Sequence, residues 1–181
     1  MHLADRTLTV RNLTREEVTR LWEIDRGEQI ENIYYLEDGE LVLKPEHYDV
    51  QGWPPGEPEL YTPILLECFD RGAWMYGVFD GDALVAMVTL DTVFIGPRHD
   101  LLQLKQLHVG RAHRGFGLGR RLFEMAREKA RSLGAKGLYI SATPSEHTIN
   151  FYLRLGSTVT PVPDPELFAL EPEDIHLECP V

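Results

Sequence analysis

The chain has 181 residues, two cysteines and a formal charge of −11. That length supports one domain with a core of its own, and the acidic balance excludes general nucleic-acid binding. No apolar run of about 18 residues offers a membrane helix, and MHLADRTLTV lacks the basic flank and apolar centre of a signal peptide. A cytoplasmic protein is expected, with no membrane partner. Cys68 and Cys179 are far apart and lack metal-ligand spacing, so both read as reduced thiols, with no disulfide and no zinc site. The charge is uneven. Residues 100–136 hold nine Lys/Arg against three Asp/Glu, a surplus of +6 that leaves −17 elsewhere, as suits a polyanionic cofactor and a cationic substrate.

In chain order, residues 7–12 (TLTVRN) alternate as a half-buried strand, and Thr14 with Glu17 makes a capping-box pattern before Val18, Leu21 and Trp22, predicting a helix. Residues 31–48 flank Asp38-Gly39 with two short apolar runs, a hairpin signal, and Tyr34 and Tyr35 sit just before the turn. Residues 51–58 (QGWPPGEP) read as a loop, and 60–69 as a helix with Pro63 in its first turn. Residues 74–80 and 83–95 flank Asp80-Gly81 as a second hairpin, and 101–109 form the next strand. Apolar residues at Leu118, Leu122, Met125, Ala126 and Leu133 give a helical period, stopped by Gly134 and Gly137. Residues 138–142 read as a buried strand, Pro144-Ser145-Glu146 opens a short helix ending at Gly156, and 158–163 begin a strand that prolines break. Residues 175–179 close the chain as a strand. This order is mixed α/β, with antiparallel hairpins before a strand-helix-strand crossover.

Residues 114–119 read Arg-Gly-Phe-Gly-Leu-Gly at the junction of strand and helix. The first N–H groups of a helix lack partners and carry the positive end of its dipole, so they attract an anion. Alternate glycines let a phosphate approach the backbone. Arg111, Arg114, Arg120 and Arg121 add charge. The stretch therefore points to a phosphate or pyrophosphate, the alternative being a tight turn alone. No Gly-Lys-Ser/Thr follows, and glycines at 115, 117 and 119 lack GxGxxG spacing, which excludes a P-loop and a dinucleotide fingerprint.

The stretch resembles the acyl-coenzyme A loop of the GCN5-related N-acetyltransferase (GNAT) family, Gln/Arg-x-x-Gly-x-Gly/Ala, with Arg114, Gly117 and Gly119 at its fixed positions. Residues 145–156 (SEHTINFYLRLG) resemble the family's downstream motif, Asn-x-x-Ala-x-x-Phe/Leu-Tyr-x-x-x-Gly-Phe, through Phe151, Tyr152 and Gly156. Ser145, Thr148 and Ser157 depart from its asparagine, alanine and phenylalanine. The resemblance spans residues 73–156 and implies a single GNAT-like domain over 1–181, with a mostly antiparallel sheet, flanking helices and a substrate-side insertion at 31–55. It implies acetyl-CoA as cofactor and direct transfer of its acetyl group to a primary amine of a small molecule. A protein N-acetyltransferase is one alternative; a non-catalytic acyl-CoA sensor or interaction module on the same fold is the other. A homodimer is a family expectation.

The resemblance also implies roles. Backbone groups of Leu107 and Val109 would pair with the pantetheine arm, and Arg114, Gly115, Phe116, Gly117, Leu118, Gly119 and Arg120 would hold the pyrophosphate. Ser145 would hydrogen-bond the cofactor, and Arg111, His113 or Arg121 would reach the 3′-phosphate. Tyr152, a phenol with a pKa of about 10, is the expected acid for the departing thiolate, with a packed core tyrosine as the alternative; the Leu107 N–H would serve the oxyanion. The base stays open. Gln103 and Lys105 take the inward positions on the strand, strict alternation puts His108 on the opposite face from Leu107 and Val109 unless a bulge intervenes, and Glu28 or Glu31 could act through water. Tyr34, Tyr35, Tyr48 and Trp53 read as a lid or, preferably, as the hairpin's own small core.

Overall fold

A computed structural model describes residues 8–181; Thr7, the predicted first residue of the opening strand, lies outside them. Strand β1 (Leu8–Asn12) leads to a turn in which the Thr14 N–H donates to Glu17 Oε2 at 3.0 Å, half of the expected capping box. The helix that follows, Val18–Glu23, is 3₁₀ rather than α. Its buried residues explain this. Val18 and Leu21 are fully buried three positions apart, and a 3₁₀ helix stacks i and i+3 along one line.

Strands β2 (Glu28–Glu37) and β3 (Glu40–Val50) form the first predicted hairpin, longer than the apolar runs suggested, with a register shift between Ile30 and Asn32. Its turn needs two left-handed residues, and Asp38 (φ 50°) and Gly39 (φ 84°) supply them. Helix α1 (Glu57–Asp70) starts earlier than expected, so Pro58 occupies its first turn and Pro63 lies inside it. In the second hairpin, β4 (Trp74–Asp80) and β5 (Ala83–Ile95), Asp80 pairs with Ala83, so the two-residue turn is Gly81-Asp82, one position later than Asp80-Gly81. Then come β6 (Leu101–Val109), α2 (Leu118–Ser132), β7 (Gly137–Ala142), α3 (Glu146–Arg154) and β8 (Thr158–Val159). An unforeseen α4 (Pro165–Leu170), capped by Asp164 Oδ1 on the N–H groups of Glu166 and Leu167, precedes β9 (Ile175–Pro180).

The strand order is β1-β4-β5-β6-β7-β9-β8, with β2-β3 as a separate ribbon. The β6–β7 pair is parallel; β1–β4, β4–β5, β7–β9 and β8–β9 are antiparallel. The fold is thus mixed α/β with a mostly antiparallel sheet and flanking helices. The chain divides into two compact units, one of residues up to 27, 51–92 and 105–126, the other of 28–50, 93–104 and 127–181. The first buries an apolar core that includes Val18, Leu21, Leu65, Met75 and Met87. In the second, the ribbon meets α3: the Tyr34 N–H donates to Pro144 O (2.8 Å), the Tyr34 hydroxyl to Asn150 Oδ1 (3.1 Å), and Asn32 Nδ2 to Glu146 Oε2 (2.7 Å).

Candidate active site

The glycine turn leaves its backbone open on one side. After β6, the Gly110 N–H donates to Val85 O at 2.8 Å, a short 3₁₀ turn covers Arg111–His113, and Arg114 is extended. Gly115 and Gly117 then take left-handed backbone at φ 83° and 82°, a conformation costly for other residues. A Cβ built on either would meet no atom within 4 Å, so the backbone faces open space there. Among the described residues, no backbone acceptor takes the N–H of Gly115, Phe116 or Gly117. Alternating left- and right-handed residues turn successive N–H groups toward one anion, and the α2 N-terminus at Leu118, Gly119 and Arg120 adds its dipole. A diphosphate fits these donors. Phe116 is 55% exposed between the two glycines, and Arg111, Arg120 and Arg121 are exposed as well.

Arg114 is employed differently. Its Nε donates to Val109 O at 2.9 Å and its Nη1 to Gly27 O at 3.1 Å, so two of its donors bind backbone carbonyls. His113 is buried, with Nε2 3.4 Å from Asp80 Oδ2.

Along β6 the parallel ladder to β7 covers Leu101↔Gly137, Leu102↔Leu138 and Gln103↔Tyr139, whereas β6 itself runs on to Val109. Leu107 and Val109, beyond that ladder, are half-buried. Gln103 is buried. Lys105 Nζ lies 3.8 Å from Asp91 Oδ2, and the same carboxylate takes Arg71 Nη2 at 2.5 Å. These cations hold Asp91 below the usual carboxylate range against the opposing effect of its burial. Burial, with the adjoining Asp91, pushes the Cys68 thiol up to about 12. Lys105 therefore faces a carboxylate.

His108 makes an edge contact with Trp53, their ring centroids 4.8 Å apart. Burial first, then Arg26 and Arg114, lower its pKa to about 3. His108 Nε2 lies 2.6 Å from Gln106 Oε1; the amide oxygen makes Nε2 the donor and leaves Nδ1 a lone pair.

Ser145 is buried and caps α3: its Oγ accepts the Thr148 N–H at 3.3 Å and donates to Thr148 Oγ1 at 2.9 Å. Two of the three departures from the downstream motif, Ser145 and Thr148, are therefore partners. Tyr152, 7% exposed, lies beside Phe151 at 5.0 Å between ring centroids. Burial, with a smaller effect of Asp174, raises its phenol well above the ordinary value.

The four aromatics of 31–55 do not form one cluster. Trp53 packs edge-on to Trp22 (4.8 Å) and donates from Nε1 to Ile24 O (3.0 Å), which corrects its assignment to the hairpin. Tyr34 bonds α3, as above, and the Tyr35 and Tyr48 hydroxyls both donate to Glu46. Glu31 lies 3.1 Å from His47. Sequence reasoning missed the Asp91–Arg71–Lys105 cluster, because its members come from separate elements and no motif links them.

The sequence pattern of the acetyltransferase (GNAT) family matches residues 30–157. No curated protein matches the chain significantly. Among solved structures, nourseothricin acetyltransferase superposes with a TM-score of 0.71 at 18% identity, over 96% of this chain and 98% of that one. A Bacillus anthracis protein named as a streptothricin acetyltransferase, in complex with acetyl coenzyme A, gives 0.70 at 15% identity, over 97% and 99%. The PaiA N-acetyltransferase of Thermoplasma acidophilum, in complex with coenzyme A, gives 0.63 at 16%, over 97% and 99%. These structures share the fold observed here, and the family pattern covers both the glycine turn and α3. The chain belongs to the GNAT family of acetyltransferases, enzymes that draw their acetyl group from acetyl-CoA.

Proposed function

We propose that this enzyme transfers the acetyl group of acetyl-CoA directly to a primary amine of a small molecule. The observation that carries the reading is the pair of left-handed glycines, Gly115 and Gly117, with N–H groups at 115–117 that no backbone acceptor among the described residues takes. Those groups, with the first amides of α2 and the exposed Arg120 and Arg121, hold the cofactor's diphosphate. Acetyl-CoA supplies a thioester carbonyl open to attack by a neutral amine. Backbone groups of Leu107 and Val109 align the pantetheine arm, the Leu107 N–H donates to the developing oxyanion, and Tyr152 keeps its proton at neutral pH and gives it to the leaving sulfur. His108 is neutral at pH 7 and offers Nδ1 as an acceptor for an amine hydrogen or for a water that removes one. A small acceptor is supported by two fold relatives named for small molecules, nourseothricin and streptothricin. A cationic one is supported by the −17 charge outside residues 100–136.

Two measurements test this. Calorimetry should show acetyl-CoA binding that weakens with salt, and a thiol-release assay over a panel of amines, streptothricin included, should show release only when an accepted amine is added. Tight acetyl-CoA binding with no release for any small amine or peptide would replace the enzyme reading with that of an acyl-CoA sensor.

A further inference from the structure

The segment between β8 and β9 is fastened at both ends of α4 to one buried pair of side chains. Tyr139 on β7 is fully buried and His176 on β9 is 3% exposed, and the Tyr139 hydroxyl lies 2.7 Å from His176 Nδ1. Ahead of α4, the Asp164 N–H donates to the Tyr139 hydroxyl at 2.9 Å; behind it, Glu171 O lies 3.3 Å from His176 Nε2. A carbonyl oxygen can only accept, so Nε2 carries the ring proton and Nδ1 accepts from Tyr139. The Phe168 ring, from within α4, packs on the imidazole with 5.5 Å between centroids. Ser141 Oγ stands 3.5 Å from Nδ1, at the limit of bonding distance. Burial first pushes the Tyr139 phenol up to about 12, so it keeps its proton as a donor.

We propose that Tyr139 and His176 form a proton-controlled clasp on residues 160–174, shut while the imidazole is neutral and released when the ring takes a second proton. An imidazolium has donors only. Its Nδ1–H turns to the Tyr139 or the Ser141 oxygen, and in either case the Tyr139 O–H loses its acceptor inside the fold. A buried donor left without a partner shifts an opening equilibrium about tenfold or more. Lifting α4 admits water to both groups and removes that cost. The charges around the ring set the pH of release. Glu171 and Asp164 on the clasped segment favour the imidazolium, whereas burial disfavours it and prevails, so the folded chain takes this proton below the ordinary histidine value of about 6.5. On β9, Glu178 acts on Tyr139 and accepts from Thr160 Oγ1. The clasp is thus shut above about 6.5 and opens as pH falls. Release frees Phe168 from the imidazole, in a segment whose Val162 and Leu170 are exposed already.

The test is amide exchange of the full chain, resolved by NMR between pH 7 and pH 4 and divided at each pH by the intrinsic rate. In the unaltered protein, protection of the Asp164 and Phe168 amides should fall about tenfold or more relative to the amides of β5, which report unfolding of the whole chain. The midpoint should coincide with the titration of the His176 ring protons, assigned by their loss in His176→Gln. Glutamine keeps a donor and an acceptor but takes no proton in this range, so in that variant the fall should vanish. Tyr139→Phe removes the hydroxyl between Asp164 and the ring; the Asp164 amide should then exchange faster already at pH 7 and lose its acid response, and this variant decides the matter if the glutamine variant does not fold. Protection that stays level while His176 titrates, or a fall of the same size in either variant, overturns the proposal. A His176 ring that takes no proton until β5 loses its protection overturns it as well.

Discussion

Replacing Gly117 by alanine separates the backbone cost of the glycine turn from its role in binding. At φ 82° an L-residue costs about 1–2 kcal/mol in left-handed backbone, and alanine restores roughly 0.4–1 kcal/mol by restricting the unfolded chain. No protein atom lies within 4 Å of the new Cβ, so no clash adds to this. The net loss of stability should be about 1 kcal/mol, a fall of roughly 2–4 °C in Tm for a chain of this size. Binding should suffer more. On the reading proposed above the methyl group meets the diphosphate, and shifting one or two N–H donors to a charged phosphate forfeits about 3 kcal/mol, or roughly 100-fold in affinity. Gly134→Ala is the matched control. Gly134 has φ 91° and equally open surroundings but lies after the C-terminus of α2, so it should lose similar stability while binding acetyl-CoA as before. Urea unfolding gives the first quantity and calorimetry the second. Equal affinities for the two variants would refute the assignment of the diphosphate to this turn.

Tyr152→Phe should slow turnover by about 100-fold or more, within the range for loss of a general acid, and leave the acetyl-CoA Kd nearly unchanged; steady-state kinetics with undiminished turnover would return Tyr152 to a packing role. Asp91→Asn should destabilise the protein by about 2 kcal/mol, since Lys105 and the partly exposed Arg71 lose their shared carboxylate; a change below about 0.5 kcal/mol in urea unfolding would mean that water takes its place. His108 and His176 are both held neutral by burial, with pKa values below those of the unfolded chain. Their contribution is complete above the ordinary histidine value of about 6.5 and is lost as pH falls, for His108 through about 3, because the unfolded state then binds more protons. Tm should accordingly decline on acidification from pH 7 to 4, and His176→Gln should flatten that slope.

The hairpins, β6, the glycine turn and α2 were legible because each carries a local signal: alternation, an Asp-Gly pair, or a helical period with a glycine stop. What sequence did not reveal depended on contacts between distant residues. The 3₁₀ form of Val18–Glu23 follows from burial of Val18 and Leu21, and an α-helical capping box cannot foretell which side chains will be buried. Trp53 follows the ribbon in sequence but packs on Trp22 and His108. The α4 helix is the exception, since Asp164 followed by Pro165 is a readable start signal that its six-residue length obscured. Arg114 was recognised as part of the turn by motif, whereas its hold on Gly27 O links positions 87 apart in sequence.

The halt of the parallel ladder at Gln103 has a consequence for the protein before it meets any ligand. Beyond that point β6 continues for six residues, to Val109, past its last paired residue on the β7 side. Backbone in that state is a template that any extended chain can copy, and sheet proteins commonly guard it with outward lysines or prolines. Here the lysine is turned to Asp91, and the stretch contains no proline. On the reading proposed above, the guard is the pantetheine arm itself. An extended arm laid along that edge satisfies the same N–H and C=O groups that a stray strand would otherwise engage.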